Sequence, residues 1–267
     1  MLTEWNGLML ATLAEAAAAT GEVAWLDAAV ATGEFLLGEL RRADGRWLRS
    51  WQADATPSGD SAPRARHLAL AADYAALVAA FTALGEATGQ ARWIVEAKAV
   101  ADALLDLFWD PVQGGLFTTG DDGETLVARQ KDLLDNATPS ANSLAAVALF
   151  RLAALTGELR YANHVDQILQ LVGPLTAQSP QAFAHLLAAI DLRRSGVTEV
   201  AVVGDRPDLV ATVLHRYLPN AVLAWGQPYD SPLWEGRRPG FAYVCRDYAC
   251  QAPVDETEAL VAQLSAT

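Results

Sequence analysis

The chain has 267 residues, of which 52% are hydrophobic and 19% charged, so it can bury a substantial core and is not of the disordered class. Its 32 acidic and 19 basic residues give a net charge of −13, which argues against nucleic acid and anionic membranes as partners. The sequence has no apolar run long enough for a membrane span and no signal-peptide pattern, so we expect a cytoplasmic protein.

A pattern of Thr-Gly-(Glu/Gln)-x-x-aromatic occurs three times, beginning at Thr20, Thr88 and Thr156, which are 68 residues apart both times. Each copy separates two alanine-rich segments with apolar periodicity. Because glycine commonly ends a helix, each copy predicts the turn of a helical hairpin. The predicted helices span residues 7–19, 25–40, 70–87, 92–108, 141–155 and 161–172, and a further helix spans 180–194.

Hairpins repeated at this length predict a mainly α fold, a partial (α/α) toroid, over residues 1–195. The alternative is an ordinary bundle in which Thr-Gly merely recurs in linkers. The glycine-containing stretches 44–48 and 113–117 follow two of the hairpins at matching positions and predict short β-hairpins or extended loops.

The pattern changes after Gly196. A run of β-prone residues at 197–204 predicts a buried strand, followed by a helix at 207–217. Further strands are predicted at 221–225 and 241–246, and a helix at 255–264. Residues 196–267 therefore predict a small C-terminal α/β module.

The 68-residue register places polar or aromatic residues where the first helix of each hairpin begins. Trp5 aligns with Asp73, and Asn6 aligns with Tyr74 and Asn142. In a toroid these helix starts meet at one opening. The loop that ends in Thr138, Pro139 and Ser140 leads to the same opening, and Thr138 is a candidate N-cap of the helix that follows. The predicted ligand-positioning residues are Trp5, Asn6, Tyr74, Asn136, Ser140 and Asn142. Each could instead be a helix cap or a loop anchor.

Asp73 and Asp135 are the carboxylates we expect to act as acid and base, since paired carboxylates in a cavity can divide these roles. His67 and His185 are alternative bases that titrate near neutral pH. The sequence has no metal-binding spacing of histidines and no phosphate-binding loop, so we expect no metal and no cofactor.

Cys245 and Cys250 follow a Cys-x4-Cys spacing at the end of a predicted strand. We expect two buried, inert thiols, because this is not the spacing of a Cys-x-x-Cys redox motif. A redox pair and half of a metal site are the alternatives.

Four segments together resemble one family. They are Leu2-Thr-Glu-Trp-Asn-Gly-Leu8, Asp73-Tyr-Ala75, Arg129-Gln-Lys-Asp132 with Asp135-Asn-Ala-Thr-Pro-Ser-Ala-Asn-Ser143, and Val244-Cys-Arg-Asp-Tyr-Ala-Cys-Gln-Ala-Pro253. In this order they resemble the C-terminal part of the YyaL / spermatogenesis-associated protein 20 family (thioredoxin-domain-containing, DUF255). The resemblance implies an α/α six-hairpin toroid similar to N-acylglucosamine 2-epimerases and related glycosidases, and a carbohydrate-type ligand.

The chain also departs from that family. The resemblance begins at Leu2, without the thioredoxin-like domain and first hairpins of the family, and Ala71-Ala72 stands where the family typically has an acidic residue. Four or fewer hairpins cannot close a six-hairpin ring, so we expect either an open concave face or a second chain that completes it. Two functions follow: a sugar epimerase, isomerase or glycoside hydrolase, or a non-catalytic module whose concave face docks a partner or another copy.

Overall fold

The computed structural model describes residues 1–53, 64–125 and 127–266. Its helices alternate along the chain between an inner and an outer layer. Each inner helix packs against the next inner helix and against the outer helix of its own hairpin. The inner layer consists of α1 (Thr3–Thr20), α3 (Ala71–Thr88), α5 (Ala141–Thr156) and α7 (Leu186–Ser195). The outer layer consists of α2 (Val23–Phe35), α4 (Ala91–Phe108) and α6 (Leu159–Gln178). This is the partial (α/α) toroid that the repeat predicts.

The first three inner helices end in the same way. The hydroxyls of Thr20, Thr88 and Thr156 donate to the carbonyl oxygens four residues earlier, at 2.7, 2.6 and 2.7 Å. Each hydroxyl also accepts from the backbone N–H two residues later. The intervening glycine has a φ between 64° and 78°, a left-handed conformation that costs glycine little. The predicted repeat is therefore a repeated helix stop, and the three hairpins are confirmed.

The aromatic residue of each copy begins an outer helix. Trp93 and Tyr161 are fully buried, and the Trp93 ring stacks on Phe81 of α3 with 5.6 Å between the centroids. Trp25 of the first copy is 42% exposed, since α2 lies at the edge of the layers. The aromatic residue at this position of the repeat is therefore buried only where neighbouring helices cover it.

Small side chains let the inner helices approach one another closely. A Cβ added at Gly7 of α1 would lie 3.1 Å from backbone atoms of Ala76 on α3. Leu77 and Leu84, which are larger side chains of α3, are both fully buried. The alanine-rich composition of the predicted hairpins therefore provides close helix packing.

The C-terminal part contains a mixed sheet whose strand order is β4 (Ala221–Trp225), β3 (Thr198–Val203), β5 (Phe241–Arg246) and β6 (Ala249–Cys250). β4 is parallel to β3 and follows helix α8 (Pro207–Leu214), whereas β5 is antiparallel to both β3 and β6. Side chains alternate between the two faces: Val200 and Val202 pack with α8 and α9 (Thr257–Ser265), and Ala201 joins the core of the inner helices. The bounds of β4 and β5 match the predicted strands.

One hydrophobic cluster runs without a break from Leu149 of α5 to Ala224 and Tyr243 of the sheet. The sheet begins close to the predicted boundary at residues 195 and 196, and the division into two domains stays a prediction. In the ranges that the structure describes, no helix is both long and apolar enough to cross a membrane.

Candidate functional site

The two ends of the inner helices differ in the length of their loops. Two-residue turns follow α1, α3 and α5, whereas long segments lead into α3, α5 and α7 at 41–70, 109–140 and 179–185. The first of these carries an antiparallel hairpin of β1 (Leu48–Gln52) and β2 (Arg64–Leu68). We call the N-terminal ends of the inner helices, with these loops, the mouth. Binding residues commonly lie on loops that a rigid scaffold holds in place.

Asp73 lies at the mouth in the first turn of α3 and is completely buried. Its oxygens accept from the backbone N–H groups of Glu4 at 2.9 Å and Leu70 at 2.8 Å, and from the Arg49 guanidinium at 3.1 Å. Burial raises the pKa of Asp73, although these donors act in the opposite direction. The side chain therefore joins the start of α1 to the start of α3.

Tyr74 and Asn142 are loop anchors. The buried Tyr74 hydroxyl accepts from Arg46 at 2.9 Å and from the backbone N–H of Trp47 at 3.2 Å. Asn142 is 1% exposed; its amide bonds both the N–H and the carbonyl of Leu116 and donates to a third backbone group, the carbonyl oxygen of Asp132. Both residues hold the mouth loops, which is the alternative that the sequence left open.

Asp135 joins the long loop before α5 to the start of α7. Its carboxylate accepts at 2.8 Å from the backbone N–H of Ser140 and, through the other oxygen, at 2.8 Å from that of His185. Burial opposes ionisation, but these hydrogen bonds and one from Ser143 outweigh it and lower the pKa of Asp135. Ser140 is the N-cap of α5 and accepts from the Ser143 N–H, so the expectation that Thr138 caps this helix is wrong.

The remaining predicted residues lie nearer the surface. Trp5 is 62% exposed on α1, and the amide of the half-buried Asn6 donates to the Leu2 carbonyl oxygen at 2.7 Å. Asn136 is exposed and donates to a carbonyl oxygen two residues earlier. His67 is exposed on β2 with a left-handed φ of 61°. Asp135, Ser140 and His185 are therefore brought together, whereas His67 lies apart on the hairpin; their catalytic and binding roles stay predictions.

Glu4 is the mouth residue that reasoning from the sequence missed. It is 9% exposed, and burial followed by the nearby Asp73 raises its pKa, while Arg49 and a hydrogen bond with Thr138 act in the opposite direction. A carboxyl group that retains its proton above the usual pH can serve as an acid. The repeat register gave no signal for it, because the equivalent position in the second copy is Ala72.

A cavity of about 170 Å³ lies between α1, α3 and α5, with Leu8, Ala79 and Leu144 in its wall. His185 and Thr82 also line it. The Nε2 atom of His185 and the Oγ1 atom of Thr82 are buried and have no hydrogen-bond partner within the described ranges. Burial lowers the pKa of His185, which Asp135 partly offsets, so the imidazole is neutral near pH 7. Polar atoms left without partners beside a cavity are suited to a polar ligand.

The opposite end of the inner helices, which we call the covered end, packs against the sheet. Arg151 of α5 donates to both carboxylate oxygens of Glu86 at 3.0 and 2.9 Å. Glu86 also accepts from the Leu223 N–H at 2.9 Å, and its carbonyl oxygen accepts from the Trp225 indole at 2.6 Å. A second cavity, of about 410 Å³, lies between α8, β4 and these helices and shares Arg151, Glu86 and Glu15 with the first.

The two cysteines form a disulfide, so the expectation of two inert thiols is wrong. Across the part of the chain that the structure describes, no group of three His, Cys, Asp or Glu residues is arranged to hold a metal ion.

No profile of a known protein family matches the chain. Human spermatogenesis-associated protein 20 is 29% identical in an alignment of 276 positions, gaps included, which covers 96% of this chain and 35% of the human protein. The mouse protein of the same name is 28% identical with the same coverage. The chain is similar in sequence to spermatogenesis-associated protein 20. The chain spans about a third of the length of spermatogenesis-associated protein 20, and the resemblance carried by the sequence motifs is confirmed.

Among solved structures, cellobiose 2-epimerase from Spirochaeta thermophila DSM 6192 has a similar fold, with a TM-score of 0.51 and 20% sequence identity. The similarity covers 64% of this chain and 43% of the epimerase. At this identity the likeness concerns the fold alone, and it confirms the α/α toroid as the architecture of this chain.

Proposed function

We propose that the protein binds a sugar in the cavity between α1, α3 and α5 and acts on it by acid/base chemistry. The observation that carries this proposal is the pair of unpartnered polar atoms, His185 Nε2 and Thr82 Oγ1, buried beside one cavity. A hydroxyl-rich ligand supplies donors and acceptors for both atoms. The toroid shared with cellobiose 2-epimerase supports this ligand class by analogy of fold.

The protonation states suit an acid and a base. A neutral His185 can take a proton at Nε2, and its backbone N–H is fixed by Asp135. Glu4, whose pKa is raised by burial, lies at the mouth end of α1 one turn before Leu8 of the cavity wall, and it is the acid in this proposal. In this proposal Asp73 and Asp135 position the loops and do not transfer protons, because their oxygens already accept backbone N–H groups.

A ligand screen tests binding. We expect at least one member of a panel of neutral mono- and disaccharides, including cellobiose, to raise the unfolding temperature of the wild type and to lose this effect in His185→Gln. His164→Gln is the matched control, since His164 lies half-buried on outer helix α6, outside the lining of the cavity, and should leave the shift intact. A panel without any effect on the wild type, or an equal shift in His185→Gln, would contradict the proposal.

The reaction is tested on whichever sugar binds. Incubation in heavy water with proton NMR detection reports epimerisation as exchange of a carbon-bound hydrogen, whereas new reducing ends report hydrolysis. We expect Glu4→Gln and His185→Gln each to lower the rate of exchange or cleavage by at least about a hundredfold, the usual contribution of a general acid or base. A sugar that binds and undergoes neither change would restrict the protein to binding.

The second candidate function is assembly through the edge of the inner layer. Trp5 and Met9 lie one turn apart on α1 and are 62% and 59% exposed, so they form an apolar patch on this helix, and Met1, which precedes the helix, is 51% exposed. The occupant in this hypothesis is the same edge of a second copy of the chain. Light scattering on the wild type should then give the mass of a dimer and Met9→Glu that of a monomer; a monomeric wild type at high concentration would count against it.

A further inference from the structure

Cys245 of β5 lies directly opposite Cys250 of β6, and the two sulfurs are bonded. The turn between the strands contains Asp247 and Tyr248, whose φ angles of 50° and 60° are both left-handed. Two left-handed central residues match the hairpin turn usually made by Asn-Gly, which has no β-carbon at its second position. The disulfide therefore staples a tight turn built from residues that rarely adopt this conformation.

The two sulfur-bearing residues differ in access to solvent. Cys245 is 2% exposed, whereas Cys250 is exposed on the edge strand. A thiol from solution can therefore approach Cys250 more readily than Cys245.

The buried sulfur has a cation beside it. The Arg237 guanidinium lies 3.5 Å from the sulfur of Cys245, and Glu199 lies opposite Cys245 on β3. Burial raises the pKa of Glu199, and the positive charge of Arg237 acts in the opposite direction. A positive group beside a cysteine stabilises its thiolate, and a sulfur that forms a more stable thiolate leaves faster in disulfide exchange.

We propose that Cys245–Cys250 is a thiol–disulfide exchange site at which an external thiol attacks Cys250 and expels Cys245. The thiolate of the external thiol bonds to the Cys250 sulfur, and the electron pair of the broken sulfur–sulfur bond stays on Cys245. A second external thiolate then attacks the external sulfur of the mixed disulfide and releases Cys250 as a thiolate. In total two external thiols are oxidised to a disulfide and the protein disulfide is reduced by two electrons.

The exchange acts on a turn that holds the sheet to the inner helices. The Tyr248 hydroxyl donates to the carbonyl oxygens of Ala153 and Ala154, at 2.8 and 3.2 Å, and the Tyr248 N–H donates to Glu199 at 3.1 Å. Reduction removes the staple that keeps the turn closed. Because an external thiolate attacks the disulfide, the reaction partner of this site is a small or protein-borne thiol.

The test uses the folded protein purified without reductant and treated with glutathione, then quenched with acid, alkylated and mapped by peptide mass spectrometry. We expect glutathione on Cys250 and an alkylated Cys245. Arg237→Gln should slow the initial reaction about fivefold, a modest leaving-group effect, and Arg237→Lys should restore most of the rate. Arg238→Gln, at the neighbouring arginine that lies over Phe241, is the matched control and should react like the wild type.

Four outcomes would overturn the proposal. These are two free thiols in the untreated protein, glutathione found on Cys245, reduction that begins only when urea unfolds the chain, and an Arg237→Gln variant that reacts as fast as the wild type. An unfolding curve for each variant separates a slower exchange from a change in fold.

Discussion

The mouth and the covered end are the two ends of the same inner helices, and they differ in the length of their loops and in the environment of their charged groups. At the covered end the chain turns in two residues, and the ion pair of Arg151 with Glu86 joins the helices to the sheet. At the mouth the loops are long, and buried carboxyl groups such as Asp73 and Glu4 have raised pKa values. Perturbed carboxyl groups held by loops are typical of functional sites, whereas satisfied ion pairs at a packed interface are typical of structure.

Several polar side chains at the mouth already have hydrogen-bond partners within the protein. Asp73, Tyr74 and Asn142 each form hydrogen bonds with backbone or side-chain groups of neighbouring segments, so they fix the conformation of the mouth. Two buried atoms without a hydrogen-bond partner in the described residues, His185 Nε2 and Thr82 Oγ1, lie beside the cavity between the inner helices. Preorganised loops around a few free polar atoms are the arrangement that binding sites need.

The largest effect is expected at the covered end. Arg151→Met leaves the Glu86 carboxylate in the interface without its cation, which should lower the free energy of unfolding by about 3 kcal/mol. Arg193→Met removes an exposed ion pair with Asp166 and should cost less than about 1 kcal/mol. Urea unfolding measures both variants. Equal costs would mean that the covered end is no more strongly joined than the surface.

The next effect concerns the mouth loops. Asn142→Ala removes three hydrogen bonds to backbone groups, two of them buried, and should lower the free energy of unfolding by about 2 kcal/mol. Asn136→Ala removes one exposed hydrogen bond and should change stability by less than about 0.5 kcal/mol. The same urea experiment distinguishes them, and a small effect of Asn142→Ala would show that the loop is held by other contacts.

The pH dependence of stability should have opposite signs at two mouth residues. Lys131 lowers the pKa of Asp110 to about 2 from 3.8, so its carboxylate stabilises the fold above pH 3.8 and that contribution disappears as the pH falls towards about 2. The cost of Asp110→Asn should therefore shrink over this interval. Unfolding midpoints of the wild type and the variant across this pH range provide the measurement.

Glu4 should behave in the opposite way. Its pKa is raised above 4.5, so the folded state binds more protons than the unfolded state, and this gain is lost as the pH rises through the folded pKa. Glu4→Gln stays neutral and should become more stable relative to the wild type as the pH rises above 4.5. A difference that does not change with pH would mean that Glu4 is not desolvated.

The smallest effect on stability is expected at Trp5. Because its side chain is 62% exposed, Trp5→Ser should change the free energy of unfolding by less than about 0.5 kcal/mol. If sugars enter at the mouth and stack on this ring, the affinity of a sugar found in the screen should fall about fivefold. Tyr217→Ser, at a 91% exposed aromatic beside the covered end, should leave that affinity unchanged. Titration calorimetry compares the two variants.

Much of the fold could be predicted because its signals are local. A threonine hydroxyl that bonds its own helix and a glycine that stops it act within six residues, so Thr20, Thr88 and Thr156 mark three hairpins without any knowledge of the tertiary structure. The strand at 221–225 is equally local, since a short β-branched and apolar run has few other uses. The N-cap of α5 was misplaced at Thr138 because several capping residues stand side by side before this helix.

The site depended on contacts between distant parts of the chain. Glu4 owes its raised pKa to burial and to Asp73, 69 residues away. His185 and Thr82 line one cavity, which exists only when three helices have packed. The disulfide depended on the β5–β6 register, which places Cys245 opposite Cys250 through a turn without the usual Asn-Gly signal.

The repeat, the alternation of helices, the α/β ending and the similarity to spermatogenesis-associated protein 20 could be recognised from the sequence alone, because periodicity, caps and motifs involve neighbouring residues. The distinction between polar residues that anchor loops and buried atoms that lack a partner required the folded structure. Asp73 and His185 are equally polar in the sequence. Burial and the supply of hydrogen-bond partners distinguish them, and both are set by the packing of the whole chain.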